Sequence, residues 1–165
     1  MSYYNRSDKV AFYGVPGGTS QNPTVTYKRM KNFTSLSTSK NAKEYTRQYV
    51  DEVSETTTLT GYSTSISYNF DFDDDYDVHT DIVNITDNEL IGSAAIRTIL
   101  IVDMKSEDST THKFTATKRD YSIIPDSEGD STDAYTYGGT LRAAGETTTV
   151  DVTLDTDQTT ATISS

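Results

Sequence analysis

Ser65-Ile66-Ser67-Tyr68-Asn69-Phe70-Asp71-Phe72 puts Ile66, Tyr68, Phe70 and Phe72 on one side and Ser65, Ser67, Asn69 and Asp71 on the other. That period of two is a strand with one face buried and one face wet. Further along, Ala94-Ala95-Ile96-Arg97-Thr98-Ile99-Leu100-Ile101-Val102-Asp103-Met104 is β-branched and nearly continuous in its apolar content. A run of this kind is expected at the centre of a sheet, buried on both faces. Lys113 to Ile124 follows as its antiparallel partner and turns at Pro125 into the polar loop Asp126 to Asp130. Between the first two strands, Asp77 and then Val78, Ile82, Ile85 and Leu90 recur at helical spacing. They predict one helix over 77–91, with acids at its N-terminal end and Gly92 as its stop. The last strand alternates Val150, Val152 and Leu154 with Thr149, Asp151 and Thr153. The expected fold is mainly β, a two-sheet sandwich or half-barrel with one packed α-helix, in a single domain over 1–165.

Composition limits what such a domain can be. Apolar residues make up 33% of the 165, with 12 Tyr, 5 Phe and no Trp, so the core is expected to be thin and its seams half wet. No cysteine is present, which excludes disulfides, thiolate metal sites and a cysteine nucleophile. The opening residues have no apolar core of a secretion signal and no run approaches a membrane span, so a chain soluble where it is made is expected. Pro16-Gly17-Gly18 and Asn22-Pro23 predict a flexible N-terminal arm over 1–24. Residues 37–62 are rich in Ser, Thr, Lys and Glu and too polar for a core, which predicts a long hairpin excursion covered by another chain.

Charge is divided along the chain. Residues 1–50 hold 8 basic and 2 acidic side chains, leaving 6 and 23 for residues 51–165, so a balance of +6 precedes one of −17. Copies arranged head to tail would pair the two, while open surface would be negative and repel nucleic acid.

Catalytic and metal signatures are weak. Asp71-Phe72-Asp73-Asp74-Asp75-Tyr76-Asp77 offers hard oxygens to calcium, but the EF-hand pattern fails because Tyr76 stands where Gly is needed and Ile82 where Glu is. Helix-capping acids are the better account. His79 and His112 lie in different elements and are taken as surface residues. Gly14-Val15-Pro16-Gly17-Gly18-Thr19 lacks the Lys of a phosphate loop, and Ser37-Thr38-Ser39-Lys40 lacks the helix and further motifs of serine–lysine enzymes. No cofactor and no metal are expected, and no enzyme.

Taken in order, these segments resemble the major tail tube proteins of long-tailed bacteriophages. The features are the flexible start, Glu44-Tyr45-Thr46-Arg47-Gln48-Tyr49-Val50-Asp51-Glu52 with Thr60-Gly61-Tyr62, the strand Ser65 to Phe72, the acidic helix closing at Ile91-Gly92, the strand Ile96 to Val102, and Gly139-Thr140-Leu141 with Gly145 and a final hairpin. Thr149-Val150-Asp151 departs from the family, where a further Gly-Thr-Val-type segment is common. The resemblance implies homo-hexameric rings that share an inner β-barrel and stack into a tube in the virion tail, assembled in the host bacterial cytoplasm. Tape-measure, terminator and initiator proteins would be partners, and DNA would pass through a negatively lined bore without specific binding. Ser65, Ser67, Asn69 and Asp71 are then candidate lumen residues. Lys40, Lys43, Glu44, Arg47, Asp51, Glu52 and Glu55 on the excursion are candidate inter-ring contacts. The tube of a contractile tail or injection machine, and a bacterial surface β-sandwich binding module, stand as alternatives.

Overall fold

The computed structural model describes residues 2–164. Eleven strands and one α-helix follow in the order β1 (Lys9–Gly18), β2 (Pro23–Arg29), β3 (Phe33–Ser39), β4 (Ala42–Arg47), β5 (Thr56–Tyr62), β6 (Ser65–Asp71), α1 (Asp77–Asp87), β7 (Ile96–Asp103), β8 (Phe114–Glu128), β9 (Thr136–Ala143), β10 (Thr148–Leu154) and β11 (Thr160–Ile163). Nine strands form one sheet in the order β10-β11-β2-β1-β7-β8-β9-β6-β3, and β10 also pairs with β8. That extra pairing closes β10, β11, β2, β1, β7 and β8 into a six-stranded barrel. Strands β9, β6 and β3 continue the sheet outside it, and β4 and β5 form a separate hairpin.

Two clusters of apolar side chains hold this together. Val10, Phe12, Leu100, Val102, Phe114, Ala116, Val152 and Ala161 fill the barrel. On the other side of the same wall, α1 lays Val78, Ile82, Val83 and Ile85 over Tyr13, Ile66, Tyr68, Phe70, Ile99, Ile123 and Leu141. Strands β1 and β7 are therefore buried on both faces, as the Ala94 to Met104 run predicts for β7. Each cluster is closed within one chain, and no buried side-chain polar atom lacks a partner among the described residues. The core is not what needs completing by a neighbour.

The flexible arm expected over 1–24 is not an arm. Val10-Ala11-Phe12-Tyr13 is buried at the middle of the sheet, with β7 on one side and β2 on the other. Its Pro and Gly residues mark a hairpin turn: the Thr19 and Asn22 backbones bond each other, and Gly18 takes φ 78°. Pro16 falls beyond Tyr13↔Ile99, the last β1–β7 pair, where β1 has β2 as its only neighbour.

The helix also stops short of residue 91. The Leu90 N–H donates to the Ile85 carbonyl at 3.0 Å and Glu89 to Thr86 at 3.3 Å, with Glu89 at φ 49°. This is a Schellman closure with Glu in the left-handed position usually given to Gly, and Leu90 folds back onto the core under α1. Tyr76, not an acid, occupies the N-cap position and makes no side-chain cap.

Where β8 and β9 meet, Gly139 has no room for a side chain. A Cβ there would lie 2.5 Å from the Ile124 carbonyl oxygen and 2.7 Å from the Tyr68 hydroxyl, whereas one at Gly61 would meet nothing within 4 Å. Gly139→Ala is expected to cost about 1–3 kcal/mol. Gly61→Ala should leave the denaturant midpoint unchanged or slightly raised. A Gly139→Ala midpoint equal to the parent's would refute this packing.

Candidate assembly surfaces

The first surface is the wet face of the sheet extension. Register places Ser35, Ser37 and Ser39 of β3 opposite Asn69, Ser67 and Ser65, and these opposite Gly138, Thr140 and Arg142 of β9. Paired residues point to the same side of a sheet, so the four nominated lumen residues lie on one face. Ser67, Asn69 and Asp71 are exposed. Ser65 is 8% exposed, bonded to the Asn41 amide at 3.3 Å and covered at the root of the β4–β5 hairpin. Apart from Asp71 and Arg142, the β3, β6 and β9 residues of this face are Ser, Thr, Asn and Gly. The face is hydroxyl-rich and close to neutral, where an acidic lining was expected.

A free edge borders it. Strand β3 ends the sheet, with β6 on one side and no strand on the other among the described residues. Thr, Ser and Leu along an unpaired edge offer backbone donors and acceptors to another strand.

The third surface is the β4–β5 hairpin, which spans the middle of the predicted excursion. All seven nominated contact residues are exposed, Lys40 just before β4 and the rest on β4 or the loop after it, and none lies in an ion pair among the described residues. Tyr45, Tyr49, Val50, Val53, Leu59 and Tyr62 are half of the large apolar side chains left exposed by the described fold. The tip is nevertheless ordered by its own bonds. Gln48 Nε2 donates to the Glu52 and Val53 carbonyls at 3.0 and 3.1 Å, and the Arg47 guanidinium lies over the Tyr49 ring. At the root, the Ser63 N–H donates to the Lys40 carbonyl at 3.2 Å. A lone two-stranded hairpin is marginal in water, so a projecting one is stabilised where something covers it.

Two buried polar groups keep these surfaces in place. Arg97 Nε donates to Asp81 Oδ2 at 2.9 Å, and the Tyr13 hydroxyl donates to the same carboxylate, joining α1 to β1 and β7. Burial, then the Asp81 charge, raises the Tyr13 pKa, so this hydroxyl stays protonated. For Arg97, burial opposes the charge, but Asp81 outweighs it and the net shift is upward.

His79 is the other group, and it is not a surface residue. It is 0% exposed, with Phe70 4.4 Å and Phe33 5.2 Å away between ring centroids. Nδ1 accepts the Asp73 N–H at 3.2 Å, which leaves Nε2 to donate to the Lys31 carbonyl at 2.8 Å. One neutral tautomer satisfies both bonds, and it ties α1 to the turn that leads into β3 and to the turn after β6. The sequence carries its signal, since positions 78, 79, 82 and 83 share one helix face. His112 is exposed beside Glu107.

The Asp73, Asp74 and Asp75 carboxylates can come within 4.8 Å of one another. All three stand on one exposed turn, where Asp73 Oδ1 already accepts the Asp75 N–H at 3.0 Å. Calcium takes six to eight oxygens, so the turn is accounted for by its own hydrogen bonding. These acids precede the helix and do not cap it; Asp77, in its first turn, pairs with Lys28.

No known protein-family profile and no curated protein matches the chain. Among solved structures it is similar to a subunit from the tail of an empty GTA particle refined helically with C6 symmetry. That likeness has a TM-score of 0.56 at 13% identity and covers 88% of this chain and 98% of that one. A second neighbour, from the 6-fold symmetrised baseplate of the anti-feeding prophage (AFP), has 11% identity, a TM-score of 0.48, and covers 91% and 97%; that score is too low to support any inference. At 13% identity the first likeness establishes a shared fold, which in this chain is mainly β, a closed barrel with strands outside it and one helix. No helix among the described residues is long and apolar enough to cross a membrane.

Burial lowers the His79 pKa below its ordinary 6.5, with the Lys31 bond and the charges of Asp73 and Asp71 acting the other way. The unfolded chain then binds the proton first, so stability rises with pH between the lowered value and 6.5 and is lost on acidification through that window. Unfolding free energy is expected to fall from pH 7 to 5.5 by at most about 1.4 kcal/mol per pH unit from this group. His79→Gln should flatten the profile. An unchanged slope in that variant would show that His79 titrates normally.

Proposed function

We propose that this chain is a structural subunit of a phage-type tail, with six copies closing a ring and rings stacking into the tail tube. The observation that carries the reading is the barrel-plus-extension fold, shared over nearly its whole length with a subunit of a C6 helical tail. Three features of the chain support it. The unpaired edge of β3 gives a neighbouring copy a place to continue the sheet around a ring. The hydroxyl face of β3, β6 and β9, carrying Ser67, Asn69 and Asp71, suits a bore. It has little positive charge with which to hold phosphate, so DNA passes without sticking. The projecting β4–β5 hairpin, with Lys43, Glu44, Arg47, Asp51, Glu52 and Glu55, reaches towards the next ring, and Lys40 stands at its root.

On this reading the work is mechanical and no catalytic residue is assigned. The partners are other copies of the chain, the tape-measure protein inside the tube and the terminator and initiator proteins at its ends. The location is the virion tail after assembly in the host cytoplasm.

Negative-stain microscopy of the concentrated protein should reveal hollow tubes or six-fold rings. Excising residues 42–62 and joining Asn41 to Ser63 should leave a folded subunit that makes rings and no tubes, because neither core cluster contains a residue of that segment. A protein that stays monomeric at every concentration and salt would sink the proposal, and normal tubes from the excised chain would sink the role given to the hairpin.

A further inference from the structure

Hairpin and receptor lie at opposite ends of the same strand. The β4–β5 hairpin leaves the sheet at the Ser39–Ser65 pair, while the Phe33–Phe70 pair marks the other end of β3, about 20 Å away at the usual rise per residue. At that far end a groove of about 450 Å³ is lined by Arg6, Val10, Arg29, Met30, Phe33 and Leu36 among others. Its floor is apolar, with Ala11 and Met30 buried beneath it. Its rim is basic. Arg6 is held across it by bonds to the Lys9 carbonyl at 2.5 Å and the Leu36 carbonyl at 3.4 Å. Neither Arg6 nor Arg29 has a carboxylate within ion-pair distance among the described residues.

The hairpin tip has the opposite character. Val50 and Val53 are 107% and 97% exposed, and Asp51, Glu52 and Glu55, their neighbours in sequence, have no basic partner among the described residues. The turn that carries them is braced by the Gln48 amide, so little ordering remains to be lost on docking. Past Phe33 the surface turns acidic at Asp71, Asp73 and Asp74, which confines an acidic guest to the side of Arg6 and Arg29.

Resting on the stacked-ring reading, we infer that the tip Tyr49 to Glu55 of one copy inserts into the Arg6–Arg29 groove of a copy in the next ring. Val50 and Val53 cover the apolar floor, and Asp51, Glu52 and Glu55 meet the two guanidiniums. Because tip and groove are different patches at opposite ends of the sheet, the contact is heterologous and does not close on itself, so it extends as a filament. This is where the basic start of the chain meets acids from its remainder.

The absence of native cysteine makes the joint directly testable. Ser7→Cys at the groove and Val50→Cys at the tip, both exposed sites, are placed in separate chains, mixed at high concentration and mildly oxidised. The heterodimer is expected to exceed either homodimer about tenfold. Asp51→Lys, Glu52→Lys and Glu55→Lys on the tip chain should cut it about tenfold, and adding Arg6→Glu and Arg29→Glu on the groove chain should restore it. If Ser7→Cys melts below the parent, Thr34→Cys replaces it. A heterodimer no more abundant than random pairing gives, or one indifferent to the charge reversals, overturns the joint. Rings or tubes that form normally without this link overturn it while leaving the tail reading standing. A charge-dependent link in a chain that never forms six-fold particles upholds the joint and removes the rings.

Discussion

The fold depends on what β8 does with its two edges. Along one edge it pairs continuously with β7, from Val102↔Ala116 to Ile96↔Ser122. Along the other, residues 114–118 pair with β10 and residues 121–128 with β9. The first half thus closes the barrel and the second half carries the sheet beyond it. The changeover is fixed at Asp120, whose carbonyl accepts the Ala144 N–H at 2.9 Å, and at Arg119, whose Nε donates to the Gly145 carbonyl at 2.8 Å. The buried face of β8 changes at the same place. Phe114 and Ala116 point into the barrel, whereas Tyr121 and Ile123 lie on the opposite face under α1. The β3 edge, the hydroxyl face and the hairpin root all hang from that second half.

This division explains which parts of the structure the sequence made legible. Strand β6 lies entirely in the extension, with one face under α1 and one in water, so its alternation is unambiguous. Strand β7 is packed on both faces and reads as a continuous apolar run. The helix shows its stripe, but its end is hidden in the sequence because Glu89 holds a left-handed position normally marked by Gly, while Gly92 opens the following 3-10 turn. Pro16, Gly17, Gly18 and Pro23 hide strand β1 in the sequence: they read as chain breakers, yet they build the hairpin turn at the sheet's end and leave the strand before it intact. Val10-Ala11-Phe12-Tyr13, four residues ahead of a proline, is too short a signal to outweigh them, and only its two neighbours make it central.

Of the candidate surfaces, the hairpin was legible because polarity over so many residues cannot be buried by one chain. Ser65, Ser67, Asn69 and Asp71 are legible as one face, since alternation fixes who shares a side. Their charge is not. An acidic total says nothing about one patch, and the strands that flank β6 supply Ser, Thr and Gly, with the single Arg142, to that face while acids collect on turns such as Asp73 to Asp75 and Asp130 to Asp133. Thin as it is, the core closes in two clusters within one chain, and what stays open is an edge, a tip and a groove.

Charge then selects among the ways two copies can meet. Four ion pairs, one of them through His112, form among the described residues, against 14 basic and 25 acidic side chains in the chain. Most charge is therefore free to act between molecules. Two copies meeting through the same patch would set like against like, the tip acids against tip acids or Arg6 and Arg29 against their counterparts, which costs free energy in a contact that excludes water. Meeting through unlike ends sets the +6 segment against acids from the −17 segment and removes repulsion from both. A contact between unlike ends cannot be satisfied by a pair, because each pair still presents one free tip and one free groove. In the proposed joint, the division of charge along the chain therefore favours growth in one direction, and salt screens it only where the joint leaves those charges wet.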